Sequence, residues 1–395
     1  MMIEDTREIK NAGKFDVVVV GGGIAGVAAA VKVARLGAKC LLIEKQIQLG
    51  GLATGGLISW YEPLCDGAGR QMISGMAEEL LLLSIQYGFD CLPAQWGGSG
   101  KNTSHKKRYA SRYATYFSPT AFALALNDFV MQNGVCVRYD TQAVYPVMEK
   151  KRLRGIVAEE MGGRRFFEGK VFIDATGNAS LAASAGLPTV QGENYLTYLA
   201  QGSSYQSAEK YIADKNLCKF RGWIGVGSDL LGNGHPEGMG TFTVSDAEAL
   251  TRYVQLGQQF MLEKVRQKNK DEFDIWALPT MPQLRTIRRI AGETDFNAVD
   301  RHTFADSIGT CGDFRAQKEG KHYQIPYSSL YNRQFENLLA AGRIISAPAG
   351  DGWEVARVIP VCAMTGEAAG AAAALCAQKN LAVCELESGL LRSYL

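Results

Sequence analysis

The sequence predicts an α/β fold: a mainly parallel sheet flanked by helices, with a smaller α+β unit inserted. Two observations carry that prediction. Residues 15–44, FDVVVVGGGIAGVAAAVKVARLGAKCLLIE, read as an apolar strand, a glycine turn, an Ala-rich helix and a second apolar strand ending in an acid. Residues 170–177 (KVFIDATG) and 337–343 (NLLAAGR) each repeat a short apolar strand running into glycine, and the stretch between them lacks the first pattern.

Val17 to Val20 is a β-branched run suited to a strand buried on both faces. Gly21, Gly23 and Gly26 let the backbone turn tightly and approach a pyrophosphate at the positive end of the helix that begins at Ile24 and Ala25. Gly26 and Ala30 let that helix sit close to the sheet. Glu44 follows Gly26 after 17 residues, at the second strand's end, where its carboxylate can accept hydrogen bonds from an adenosine ribose. This is a Rossmann-like, dinucleotide-binding βαβ unit, and by itself it does not choose between NAD and FAD. Three later segments favour FAD. Lys45 leads to GGLATGG, residues 50–56, whose Gly51, Leu52, Ala53 and Thr54 suit further close contact with a long cofactor; Ala175, Thr176 and Gly177 end the 170–177 strand; and Gly342 and Arg343 precede an Ala-rich helix over 359–376.

Between these segments, residues 66–87 carry a helical period. Residues 118–134 predict a helix capped by Ser118, with Pro119 at its first position and Gly134 at its end. Short alternating strands follow between Val135 and Phe172, and a charged helix is expected over 245–270. GSSYQS near 202 and GNGHPEGMG at 232–240 read as loops. The expected division is 1–190 for the first part of the nucleotide-binding domain, 191–324 for an inserted substrate domain and 325–395 for the second part.

Taken in order, GGGIAG, GGLATGG with Asp66-Gly67 downstream, FIDATG, LRTIRRIAGE (284–293), FADSIG (304–309), IPYSSLY (325–331) and NLLAAGRIIS followed by RVIPVCAMTGEAAGAAAAL resemble the FAD-dependent oxidoreductases of the glutathione-reductase-like fold. The chain is most similar to the bacterial family often labelled FAD-dependent oxidoreductase, related more distantly to fumarate reductase flavoproteins. The resemblance implies a Rossmann-like FAD-binding domain with an inserted α+β substrate domain. It also implies that the N-terminal glycines and acid hold the ADP half of FAD, while the C-terminal Gly-Arg segment and following helix hold the flavin half. Two departures stand out: Asn178 replaces the acid that many members carry after the ATG glycine, and the loop at 347–356 reads APAGDGWEVA. Asp351, Trp353 and Glu354 are therefore expected to define a different pocket.

At 395 residues the chain can bury two cores. A formal charge of +2 makes no electrostatic case for nucleic acid. The Val17 run is too short to span a membrane and is broken by glycine, so neither a membrane nor a targeting segment is expected. Nine cysteines without a CxxC read as reduced thiols in a cytoplasmic protein. A disulfide reductase of this fold needs paired cysteines and a second GxGxxG, and the sequence has neither. His105, His235, His302 and His322 share no ligand spacing, so no metal is expected.

Flavin chemistry asks the protein mainly for charge and position. Backbone amides at Val361, Cys362 and Ala363, at the start of the last long helix, are candidate donors to reduced flavin. Arg285, Arg288 and Arg289 could hold an anion; a helix would put Arg285 on one face with Arg288 or Arg289, whereas a strand would split Arg288 from Arg289. Arg289 is the expected catalytic cation. His322 and Tyr327 are the expected acid–base groups, because IPYSSLY returns the chain to the cofactor domain. Arg343 and Arg357 lie inside the flavin segments and are expected to touch the cofactor. KNTSHKKRYASRYATYF (101–117) could line an entrance, and His235-Pro236 faintly resembles the histidine-proline loop of fumarate reductase flavoproteins. The expected function is hydride transfer between a small polar organic substrate and flavin N5. The alternatives are a fumarate-reductase-like C=C reductase, a carbohydrate- or polyol-oxidising flavoenzyme and a non-enzymatic electron-transfer flavoprotein.

Overall fold

The computed structural model describes residues 8–96, 112–215, 217–229, 232–244, 246–299, 301–315 and 320–395. Along the chain the elements that position the site are β1 (Lys10–Val20), α1 (Ile24–Arg35), β2 (Cys40–Ile43), α2 (Met76–Ile85), α3 (Pro119–Gln132), β3 (Cys136–Arg138), β4 (Gln142–Glu149), β5 (Arg152–Glu160), β6 (Gly163–Asp174), β7 (Thr197–Ser204), β8 (Gly222–Gly227), α4 (Ala247–Arg266), β9 (Phe273–Ala277), β10 (Leu338–Ala340) and α5 (Ile359–Lys379).

The main sheet is parallel where the glycine turns begin. β1 lies between β2 and β6, pairing Val18 with Leu41 and with Phe172; β3 continues beyond β2, and β10 pairs with the end of β6. The other half of β6 continues antiparallel into β5 and β4. The pleat divides the valine run: Val17 and Val19 enter one core with α1 and α5, while Val18 and Val20 enter another with Phe167, Phe172 and Ile290. That alternation explains why every position of the run is apolar.

Local signals place the helices. Ser118 Oγ accepts from Ala121 N at 3.5 Å with Pro119 in the first turn, and Gly134 ends the segment at φ +73°. The helical period of 66–87 becomes a helix only from Met76. Asp66 Oδ1 accepts the amides of Ala68 and Arg70, at 3.0 and 2.9 Å, and this bonding folds the preceding residues into a turn. Asp246 caps α4 through Ala249 N at 2.9 Å, so the charged helix runs over Ala247–Arg266. α5 is apolar and long enough to cross a membrane by composition, yet 83% of its apolar window is buried in the protein.

The inserted unit is an antiparallel sheet, β8-β7-β9, with α4 packed on it through Tyr253, Gly257 and Met261. A strand over Arg288–Ile290 pairs with Thr189–Gln191, and Ile290 and Phe296 already belong to the two main cores.

Candidate cofactor and substrate site

The glycine segments meet at the carboxyl ends of β1, β2, β6 and β10. Gly22 O accepts from Gly50 N at 2.8 Å, and Gly23 and Gly50 form a bridge, so the 50–56 loop lies along the first turn. Within that loop Thr54 Oγ1 donates to Leu49 O at 2.5 Å, Ala53 is buried, and Gly51 and Leu52 are half-buried. At the first turn a Cβ on Gly21 would stand 2.5 Å from Ala175 O, and one on Gly26 would stand 1.8 Å from Gly21 O. Both glycines are therefore required for backbone contact. Gly23 differs: a Cβ there would meet nothing within 4 Å, which leaves room for a ligand against the start of α1.

Glu44 is 7% exposed at the end of β2 and reaches the same turn. Its Oε2 accepts from Gly22 N at 2.5 Å and its Oε1 from Gln46 N at 2.8 Å. Burial raises its carboxyl above the usual range, against the lowering effect of these amides. Lys45 beside it is exposed. On the β6 side, Asp174 accepts from Thr176 N and Oγ1, at 3.0 and 2.6 Å, and from Ala182 N at 2.8 Å, which shapes the turn through Ala175, Thr176 and Gly177.

Gly342, at φ +79°, lies beside Ala25 of α1 and Cys362 of α5 and donates to Thr365 Oγ1 at 3.1 Å. Arg343 next to it crosses to the β6 turn: Nε donates to Gly177 O and Nη1 to Leu284 O, both at 2.7 Å. Burial pulls its guanidinium down to about 10. At the start of α5, Ile359 N donates to Glu62 at 3.3 Å, and Cys362 N is already bonded to Val358 O at 2.9 Å. Of the three amides expected from sequence, Val361 alone precedes the first intrahelical bond. Cys362 N is committed to it, and Ala363 lies deeper in the helix.

Three guanidinium groups gather there. Burial lowers Arg285, Arg343 and Arg357, and Arg357 repels both of the others. Arg285 donates to Asp229 O at 2.9 Å. Arg357 stacks 5.2 Å over the Trp353 ring, and its Nε is sealed from solvent with no hydrogen-bond partner among the described residues. Glu62 faces it; burial raises the Glu62 carboxyl and Arg357 draws it back down. Glu354 also acts on Arg357 and Asp229 on Arg285, yet among the described residues the buried Arg357 Nε has no acceptor. Sequence reasoning missed Glu62, which sits in no motif. It also missed Thr365, whose only signal is a hydroxyl inside an Ala-rich run.

The expected catalytic groups fall elsewhere. The 288–290 strand does split Arg288 from Arg289: Arg288 Nε donates to Asn178 O at 3.2 Å. Arg289, 16% exposed at its side chain, binds Asp295 Oδ1 at 2.9 Å together with Ser346 Oγ and Ile290 O, both at 3.2 Å. Its geometry is that of an internal brace. Tyr327 is 2% exposed, donates to Val383 O at 2.8 Å and packs against the far end of α5 near Cys376. The helical rise from Cys362 to Cys376 is about 21 Å, so Tyr327 is a core residue remote from the start of α5. His322 opens the strand His322–Pro326 with Nδ1 3.2 Å from Gly320 O.

Other sequence candidates have local roles. His235 Nδ1 accepts from Leu196 N at 3.1 Å, so Nε2 carries the proton that it gives Met239 O at 2.9 Å. Asp351 accepts from Ala298 N, Glu354 from Gly350 N, and Trp353 supports Arg357. The 101–117 segment lies outside the described residues through residue 111.

The model of the family described as FAD dependent oxidoreductase matches residues 16–221 and 233–395, and the chain belongs to that family. It is an enzyme, and its cofactor is FAD. Among solved structures it is similar to a geranylgeranyl bacteriochlorophyll reductase-like protein from Thermoplasma acidophilum, at 15% identity, covering 98% of this chain and 83% of that one with a TM-score of 0.44. It is also similar to p-nitrophenol 4-monooxygenase from Pseudomonas putida DLL-E4, at 12% identity over 96% and 83% of the two chains, with a TM-score of 0.49.

Proposed function

We propose that this FAD-dependent oxidoreductase moves a hydride between its flavin and a small polar organic substrate that carries negative charge. The observation that supports this reading is Arg357, a guanidinium with a solvent-sealed donor that lacks an acceptor among the described residues, beside Arg285 and Arg343 at the start of α5. A buried cation without a hydrogen-bonded anion is costly, and a carboxylate entering there would satisfy it.

FAD, when bound, supplies the hydride donor or acceptor at N5. The chain's residues fit it. In this reading Gly21, Gly23, Ile24, Ala25, Gly26 and Glu44, with the 50–56 loop, hold the ADP half. Gly342, Arg343, Val361 and the Ala175–Gly177 turn hold the flavin half. Arg343, bonded to two carbonyls, positions the β6 and β10 turns. Arg357, with Trp353 beneath it, is left to orient the substrate's charge. The proposed donor set on α5 narrows from three amides to Val361.

An anaerobic screen of flavin bleaching tests the reading, using small carboxylates and hydroxy acids against neutral polyols. Acids are expected to bleach the wild-type flavin. Arg357→Met should retain FAD but require about ten to a hundred times more substrate, the loss of one hydrogen bond between charged groups. Bleaching by neutral polyols alone, unchanged in Arg357→Met, would favour the polyol-oxidising alternative. Flavin bleached by no metabolite but reoxidised by a protein acceptor would favour electron transfer.

A further inference from the structure

The seam between the inserted unit and the nucleotide-binding part contains a cysteine pair remote in sequence and close in space. Cys91 follows α2, and Cys218 lies in a short turn of helix, Leu217–Lys219, ahead of β8. The Cys91 sulfur accepts from Tyr116 N at 3.1 Å and from Thr115 Oγ1 at 3.7 Å, and it is in hydrogen-bonding reach of the Cys218 thiol. Cys218 Sγ also lies 3.5 Å from Asp90 O, so its one proton is shared between that carbonyl and the Cys91 sulfur. Both residues are partly exposed, as are Cys136, Cys362 and Cys384, whereas Cys40, Cys65, Cys311 and Cys376 are buried.

We propose that Cys91 and Cys218 form a dithiol modification site, in which Cys91 attacks a small-molecule disulfide and Cys218 resolves the adduct into an internal disulfide bond. The atoms balance with oxidised glutathione as the oxidant. The Cys91 thiolate bonds to one glutathione sulfur and expels the other as a thiolate. Cys218 then gives up its proton and bonds to the Cys91 sulfur, expelling the second glutathione. Two protein thiols are oxidised and one glutathione disulfide is reduced to two thiols.

The electrostatics agree with those roles. The hydrogen bond from Cys218, then the Tyr116 amide and the Thr115 hydroxyl, bring the Cys91 thiol down to about 7, against burial and the Asp90 carboxylate. About half of a thiol of that acidity is thiolate at neutral pH. Its loss of intrinsic reactivity is smaller than its gain in thiolate, a net advantage of about fivefold over an ordinary thiol.

The bond would lock a seam already tied at neighbouring points. Arg221 donates to Ser118 Oγ at 3.1 Å, Trp223 Nε1 donates to Leu57 O at 2.9 Å, and the Trp223 ring meets Tyr116 edge-on at 5.6 Å. Leu57 directly follows the 50–56 loop, so oxidation would stiffen the join between the inserted unit and the cofactor loop.

Peptide mapping of the full-length protein after exposure to oxidised glutathione at neutral pH tests the proposal. The expected product is a monomer that has lost two hydrogens, with the peptides containing Cys91 and Cys218 joined and the link reversed by dithiothreitol. Cys218→Ser, which lacks the resolving thiol, should instead accumulate glutathione on Cys91 as a stable mixed disulfide. Cys91→Ser should leave Cys218 unmodified over the same interval. Glutathione persisting on Cys91 in the wild type, a link only between two chains, or first reaction at another cysteine would each overturn the assignment.

Discussion

Gly366 of α5 lies directly against the Ala25 carbonyl of α1: a Cβ added to Gly366 would stand 2.2 Å from Ala25 O. One turn further on, Gly370 meets Ala29 O at 2.4 Å. The two helices that begin at the two halves of the proposed cofactor site thus touch backbone to backbone, and their spacing fixes how Gly23 stands relative to Val361. Small residues at every fourth position make that approach possible.

Gly366→Ala should therefore act on cofactor retention and on stability together. The added methyl has backbone on its far side and no flexible side chain to displace, so the helices must separate, at a cost of about 1–3 kcal/mol or more. The variant is expected to purify with less FAD and to melt lower. Wild-type FAD content together with wild-type melting would show that the helix spacing does not control the site.

Glu44→Ala removes a carboxylate that braces Gly22 with one oxygen and is proposed to accept from the cofactor ribose. The variant should fold, but its affinity for FAD in reconstitution should fall by about ten- to a hundredfold, corresponding to about 1.5–3 kcal/mol. An unchanged affinity would confine Glu44 to bracing the turn.

The parts legible in the sequence are those where backbone geometry dictates residue type. Gly21 and Gly26 are visible because a β-carbon has no room beside Ala175 O or Gly21 O, and the β-branched run is visible because both faces of β1 are buried. The side-chain chemistry was legible only as residue type. Tyr327 is near the cofactor domain in sequence, but it packs at the wrong end of a long helix. Arg289 and Arg357 look alike as arginines and differ in the acceptors around them: Asp295 for the first, none among the described residues for the Nε of the second. Glu62 and the Cys91–Cys218 pair depend on contacts between distant segments, which no local pattern records.

Asp313 offers a pH-dependent test. It accepts from Arg315 N at 2.8 Å, from Arg315 Nε and Nη2 at 3.0 Å each, and from Tyr323 OH at 2.7 Å. Burial opposes the charged carboxylate, but these donors outweigh it and hold the carboxyl below its ordinary value. A carboxyl lowered on folding adds stability that is complete above its unfolded value of about 3.9 and is lost as pH falls through the folded value. Asp313→Asn should thus cost about 1.5–3 kcal/mol at neutral pH. Its difference from wild type should narrow below about pH 4. A gap that is constant down to pH 2 in denaturant titrations would assign the loss to packing.

Arg289→Met separates bracing from catalysis. The Arg289 guanidinium joins the 288–290 strand to Asp295 and to Ser346 Oγ, and Ser346 Oγ itself donates to Asp295 at 2.7 Å and accepts from Gly292 N at 2.9 Å. Removing the cation leaves the partly exposed Asp295 carboxylate with only the Ser346 hydroxyl of this group of contacts. The expected cost is about 1–2 kcal/mol of stability, discounted for the solvent that reaches Asp295. FAD content and the rate of flavin bleaching by substrate should remain at wild-type levels, in contrast to Arg357→Met. Rapid-mixing measurements on the two variants side by side decide between them. Slowed bleaching in Arg289→Met at unchanged melting temperature would return the catalytic role to Arg289 and make Arg357 the brace.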